Sequence, residues 1–212
     1  MYDDQMSKDV YVPYNARTDA IRVSGIVSES VVDGPGIRLS VFAQGCSHQC
    51  LGCHNPETHS YDGGHLVSIN DIIDSVRANS MLDGISLSGG EPFDQASAMT
   101  KIADGVRFVA QETGRKLDIW CWTGYTAEVL CRKAEYERSD WKRLLNAIDV
   151  LIDGPFVREC ATMQCPWRGS SNQRIFSSFD IKTIFKKLSC EHLKEFNTLK
   201  TLKLQKQLLP AY

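Results

Sequence analysis

Three cysteines fall within eight residues of this chain: Cys46, Cys50 and Cys53, at C-x3-C-x2-C spacing in GCSHQCLGCHNPETH, Gly45 to His59. A thiolate is a soft ligand, suited to iron–sulfur clusters, zinc or copper(I). A four-iron, four-sulfur cube ordinarily takes four cysteines. Three leave one iron without a protein ligand, and an open coordination position is where a metal does chemistry. The same loop also suits a zinc knuckle that borrows a histidine, His48 or His54. The loop alone does not choose between the two.

A second stretch with chemical potential is Gly89-Gly90-Glu91-Pro92. Glycine has no Cβ, so its backbone can approach a ligand closely. Glu91 can accept a hydrogen bond from a ligand ammonium. An amino acid offers an amino nitrogen and a carboxylate oxygen, a natural chelate for an open iron. The same four residues would also serve as a plain turn from strand to helix.

The elements around these stretches alternate. Ile21–Val27 and Arg38–Ala43 read as strands, separated by the Gly- and Pro-rich turn VVDGPGIR. Ser68 opens a helix, with Asp71 in capping-box position. Gly84–Ser88 is a strand, and Gln95 to about Gln111 is the clearest helix, with Gly114 stopping it. Leu117–Trp122 is a strand, Thr126 caps a helix to about Arg138, Asp140 starts a shorter one, and Ile148–Ile152 is a strand. Such alternation predicts an α/β fold with a mainly parallel sheet and right-handed crossovers. Each unusual loop directly follows a strand: the cysteine loop, Gly-Gly-Glu-Pro, Trp-Thr-Gly-Tyr and Asp-Gly-Pro-Phe. In a parallel sheet or barrel these positions share the carboxyl-end face, where ligands bind. A zinc knuckle needs no such convergence.

Bulk properties narrow the class. The chain has 212 residues, 42 % hydrophobic and 24 % charged, with net charge −2. That balance suits a globular domain and gives no reason to expect nucleic acid or an anionic membrane as partner. No apolar run approaches bilayer length, and the polar start MYDDQMSKDVYVPY has no signal-peptide character. Eight cysteines without a secretory signal point to a reducing, cytoplasmic setting with metal or redox use.

The cysteine loop followed by SGGEP resembles the radical S-adenosylmethionine (SAM) superfamily. The flank VVDGPGIRLSVFAQGCSHQCLGCHNPETH resembles its glycyl-radical-enzyme activases. WTGYT, IDVLIDGPF and WRGSSNQR resemble the branch that activates anaerobic ribonucleoside-triphosphate reductase, and the likeness runs from about Ile21 to Arg174. It implies an incomplete (β/α) barrel and a [4Fe-4S] cluster on Cys46, Cys50 and Cys53. It implies SAM on the fourth iron, held by Gly89, Gly90 and Glu91, with Gly52 and His54 near its adenine. Reductive cleavage of SAM would give a 5′-deoxyadenosyl radical that takes a hydrogen atom from a glycine of the reductase large subunit. A flavodoxin-like donor would supply the electron. Thr123 and Asp153 would reach the ribose or sulfonium, or Asp153 would only cap its turn. Arg168, Asn172, Gln173 and Arg174 would line the groove for the partner's glycine loop or tie the barrel edge. An activase of pyruvate formate-lyase would share the cluster loop but lack WTGY and RGSSNQR.

The resemblance leaves an arm at 1–20, a domain at 21–176 and an extension at 177–212. Cys160 and Cys165 fall outside its motifs and read as incidental thiols. From Lys182 the chain carries seven lysines, with apolar residues at rough helical spacing from Ile184 to Leu202. This predicts a C-terminal helical extension whose apolar side packs on the domain or docks a partner.

Overall fold

The computed structural model describes residues 19–188. Most of the N-terminal arm and the tail beyond residue 188 therefore lie outside the described residues. A seven-stranded sheet runs through the domain in the order β3-β1-β2-β4-β5-β6-β7. The strands are β1 (Ala20–Ser30), β2 (Arg38–Ala43), β3 (His65–Ser68), β4 (Gly84–Gly89), β5 (Asp118–Trp122), β6 (Val150–Asp153) and β7 (Arg174–Ser177). The central four, β2, β4, β5 and β6, are parallel, as the alternation predicts. The margins are antiparallel: β3 on β1, β1 on β2, and β7 on β6. The sheet is open, with β3 and β7 at its edges.

Four helices cross over between strands: α1 (Ile69–Ala78), α2 (Ala96–Thr113), α3 (Ala127–Tyr136) and α4 (Ser139–Ala147). Side chains of a strand alternate between faces. Leu39, Val41 and Ala43 of β2 face the same core as Ile85 and Leu87 of β4, Ile119 and Cys121 of β5, and Leu151 of β6. Helix residues Ile72, Val76, Met99, Ile102, Val106, Leu130 and Leu144 complete it. The intervening strand residues, Ser40, Phe42, Ser86, Ser88, Trp120 and Trp122, point to the other face. One sheet face is thus a dry core, and the other is polar and aromatic, with Phe42, Ser88 and Trp122 lining a cavity.

Two local expectations are corrected. Ser68 does occupy the N-cap of α1, but its side chain makes no capping bond; it also ends β3. β3 and β7 are strands that periodicity did not mark, because each has only four residues and neither is buried on alternate positions. The segment after β7 is helical over 178–188, with Ile181 buried and Ile184, Phe185 and Leu188 packed on the core. The domain core therefore continues past residue 176.

Candidate functional site

The loops after β2, β4, β5 and β6 meet at one end of the sheet. Together they line a cavity of about 120 Å3 that includes Cys46, Cys50, Cys53, Gly89, Gly90, Thr123, Gly124 and Gly154. A larger cavity of about 680 Å3 adjoins it and shares Cys53, Ser88, Gly89, Trp122, Phe156 and Gln173.

The cysteine loop is closed at its base. Gly45 N donates to Thr58 O at 2.8 Å and Cys46 N to His59 O at 3.2 Å. The side chain of Gln44 crosses the same base, donating to the carbonyls of Glu57 and Ser60. Two further backbone bonds fasten the loop to the turn after β4: Gly90 N to Ala43 O and Glu91 N to Gly45 O, both 2.8 Å. This contact explains the glycine pair. A Cβ at Gly89 would stand 2.4 Å from Ala43 N, and one at Gly90 2.2 Å from Gly45 O. The turn's close approach is to the backbone of the cysteine loop, and both glycines also line the smaller cavity.

Glu91 is fully buried behind that wall. Its carboxylate accepts from Phe93 N at 3.0 Å, Thr123 Oγ1 at 3.0 Å and Gly124 N at 2.9 Å, and faces His48 Nε2 at 2.9 Å. Its oxygens are filled by the protein's own groups, where the sequence suggested a ligand ammonium. His48, considered above only as a zinc ligand, lies within the cysteine loop and packs edge-on against Tyr125, 4.4 Å between ring centres. Glu91 therefore ties the cysteine loop, its own turn and the Thr-Gly-Tyr turn into one unit. No spacing rule marks His48 for this role, because its partner lies 43 residues away.

His54 lines the larger cavity, its ring 4.8 Å from that of Phe156. Gly52 is exposed and lines neither cavity. The hydroxyl of Thr123 is engaged by Glu91, although the residue lines the smaller cavity. Asp153 is fully buried, accepting from Ala127 N at 2.7 Å and Arg174 Nε at 3.0 Å. It caps α3 and anchors β7. Arg174 also grips Glu128 through both guanidinium nitrogens, and that contact holds the Glu128 carboxyl below its usual range. Asn172 donates to Pro155 O and Gln173 to Gly154 O, so this segment ties the sheet edge to the turn after β6. Arg168 and Gln173 line the larger cavity as well.

The Gly- and Pro-rich turn between β1 and β2 is likewise held by its own polar side chains. Asp33 accepts from Ser30 and Ser40 hydroxyls and lines the larger cavity. Arg38 is wholly buried, bonded to Ser86 Oγ, Ile85 O and Pro35 O and paired with Asp118 at 2.6 Å. Trp167 lines the larger cavity in a left-handed backbone conformation, φ 58°. Trp122 Nε1 holds it by donating to its carbonyl at 2.8 Å.

Comparison with known proteins agrees with this layout. A family model described as a 4Fe-4S single cluster domain matches residues 32–176. The chain is similar to an anaerobic ribonucleoside-triphosphate reductase-activating protein of Vibrio cholerae, 42 % identical over 151 residues that cover 68 % of this chain and 90 % of the relative. Relatives of the same description from Enterobacteria phage T4 and Escherichia coli K12 are 34 % and 35 % identical, the first covering 70 % of this chain and 89 % of the relative, the second 68 % and 90 %. The chain belongs to this family of activating proteins.

The donor set on the smaller cavity fits the cluster of that domain. A cube takes one thiolate on each of three irons, whereas a single ion needs its ligands on one point. Among the described residues, no three His, Cys, Asp or Glu side chains lie close enough to share one ion. Burial pushes the Cys46 thiol up from its ordinary value, so metal binding there releases a proton. His59 Nε2, on the same cavity, is buried with no protein partner among the described residues.

Proposed function

We propose that this chain activates anaerobic ribonucleoside-triphosphate reductase by generating a glycyl radical on its large subunit. The observation that carries this reading is the convergence of the three-cysteine loop and the Gly-Gly-Glu turn on one cavity, with a larger cavity opening beside it. Cys46, Cys50 and Cys53 would hold a [4Fe-4S] cluster and leave one iron open to SAM. When bound, the pair supplies the 5′-deoxyadenosyl radical that abstracts a hydrogen atom from the partner's glycine.

The chain's own residues position and shield. The larger cavity, about 680 Å3, is within the roughly 300–1,000 Å3 usual for small-molecule sites. Its wall offers the rings of His54, Trp122, Phe156 and Trp167 to a flat heterocycle. Backbone at Gly89 and Gly90 is accessible from the smaller cavity for the methionyl end. Excluding water from this space protects a reactive carbon radical. The open sheet, dry on its helix side and hollow on the other, supports assignment to an incomplete (β/α) barrel of radical SAM type. A flavodoxin-like protein is the assigned electron donor, and an oxygen-poor cytoplasm the assigned setting. Among the described residues no helix is long and apolar enough to cross a membrane.

The test is to reconstitute the protein anaerobically, reduce it, and mix it with SAM and either the reductase or pyruvate formate-lyase. Electron paramagnetic resonance should reveal a glycyl doublet on the reductase. A doublet on formate-lyase alone would overturn the choice of substrate.

A further inference from the structure

We propose that His59 donates a hydrogen bond from Nε2 to a sulfur of the cluster held in the cysteine loop, and thereby raises the cluster's reduction potential. The inference rests on the reading that Cys46, Cys50 and Cys53 hold a four-iron cluster.

His59 is fixed beside the first of those cysteines. Its carbonyl accepts from Cys46 N at 3.2 Å, and its own N–H donates to Pro56 O at 3.2 Å, ending the short 3-10 turn Pro56–Thr58. His59 is one of the residues lining the 120 Å3 cavity that all three cysteines also line. Nε2 is buried and finds no hydrogen-bond partner. Buried polar atoms are nearly always paired, and an exception calls for a partner of its own. Buried side-chain nitrogens of Trp120, Trp141 and Arg168 also lack a partner among the described residues, but none of these residues lines the smaller cavity. The second imidazole on that wall, His48, is already engaged by Glu91 at 2.9 Å. Among the described residues that line this cavity, His59 thus carries a buried side-chain nitrogen that lacks a partner.

The chemistry of the occupant settles the direction of that bond. Thiolate and sulfide sulfurs of a cluster are electron-rich acceptors, so the matching ring nitrogen carries a proton. A donor to cluster sulfur stabilises the reduced, more negative state, which raises the potential. His59 acts on the cofactor and needs neither SAM nor the reductase to do so.

The experiment uses full-length protein reconstituted anaerobically, with 15N-labelled histidine, and reduced without SAM. Pulsed electron paramagnetic resonance should detect a histidine nitrogen and an exchangeable proton coupled to the cluster. Both His59→Leu and His59→Gln should lose the nitrogen coupling. His59→Leu should lower the midpoint potential in a redox titration, and His59→Gln, which keeps an N–H donor, should restore part of the shift. Wild-type protein with about four irons per chain but no histidine coupling overturns the proposal, even if a variant fails to fold. An unchanged potential in a fully loaded His59→Leu protein overturns it as well. Wild-type protein that takes up no four-iron cluster refutes the cysteine assignment itself, an outcome distinguished by iron content alone.

Discussion

Substitution of Glu91 tests whether its carboxylate meets a ligand or knots the loops together. The structure gives Oε1 two donors, Phe93 N and Thr123 Oγ1. It gives Oε2 Gly124 N, with His48 Nε2 facing it, and the single Thr123 proton is shared between the two oxygens. In Glu91→Gln one oxygen becomes NH2, and in either orientation that NH2 opposes a backbone N–H, of Phe93 or of Gly124. One buried donor is left unmatched, a loss of about 1–3 kcal/mol. Glu91→Ala strands both N–H groups, the Thr123 hydroxyl and the His48 ring. Removing one side of a buried charged network costs about 3–5 kcal/mol. At about 2–4 °C per kcal/mol for a domain of this size, alanine should lower the apo-protein's melting temperature by roughly 6–20 °C. Glutamine should lower it by roughly 2–12 °C. The assay is thermal unfolding by circular dichroism before cluster loading, followed by iron content after reconstitution. A Glu91→Ala protein that melts with wild type, loads iron normally and only binds SAM more weakly would refute the reasoning and restore Glu91 to the ligand.

Other substitutions check neighbouring parts of the argument. Cys50→Ser should abolish cluster assembly and SAM cleavage together, read by iron content and 5′-deoxyadenosine release; retained activity removes Cys50 from the ligand set. Gly90→Ala drives a Cβ to 2.2 Å from Gly45 O and should cost about 1–3 kcal/mol in denaturant unfolding, with poorer cluster retention. Ile181→Ala, at a side chain 1 % exposed, should cost about 2–5 kcal/mol; no change would mean that the segment after β7 is a mere appendage. Arg174 holds the Glu128 carboxyl below its ordinary value, so that part of its stabilisation is present above the unfolded carboxylate pKa and is lost as pH falls through the folded one. The gap in melting temperature between wild type and Arg174→Gln should therefore narrow on acidification, and a gap that widens would contradict the pairing.

Much of the layout was legible because it is local. Leu39, Val41 and Ala43 alternate, Thr126 precedes an apolar helical face, and Gly114 takes the left-handed conformation at which α2 stops. Strand-then-loop order is enough to put four motifs at one end of a parallel sheet. What stayed hidden is pairing across distance. β3 and β7 are too short and too exposed to show a period, and they exist because β1 and β6 offer open edges. Thr123 and Asp153 stood at strand ends as groups that would reach a ligand or, for Asp153, only cap its turn; Thr123 is engaged by Glu91, and Asp153 by Arg174 and the first turn of α3.

The cysteine loop shows the division most clearly. Residue type and spacing alone determined that soft-metal chemistry belongs at Cys46, Cys50 and Cys53, because ligand softness and reach are properties of the side chains. The sequence also determined that a glycine pair must follow β4. Only the tertiary structure decided why. The turn is held against the cysteine loop by two backbone hydrogen bonds of 2.8 Å, and a Cβ there would collide with that loop. Only it could show that Glu91 closes the knot from behind, while His59, which lines the cavity, keeps a buried Nε2 without a partner among the described residues. Hydrogen bonds are short-ranged and directional, so which of two polar residues turns inward depends on contacts made by chain segments tens of residues apart.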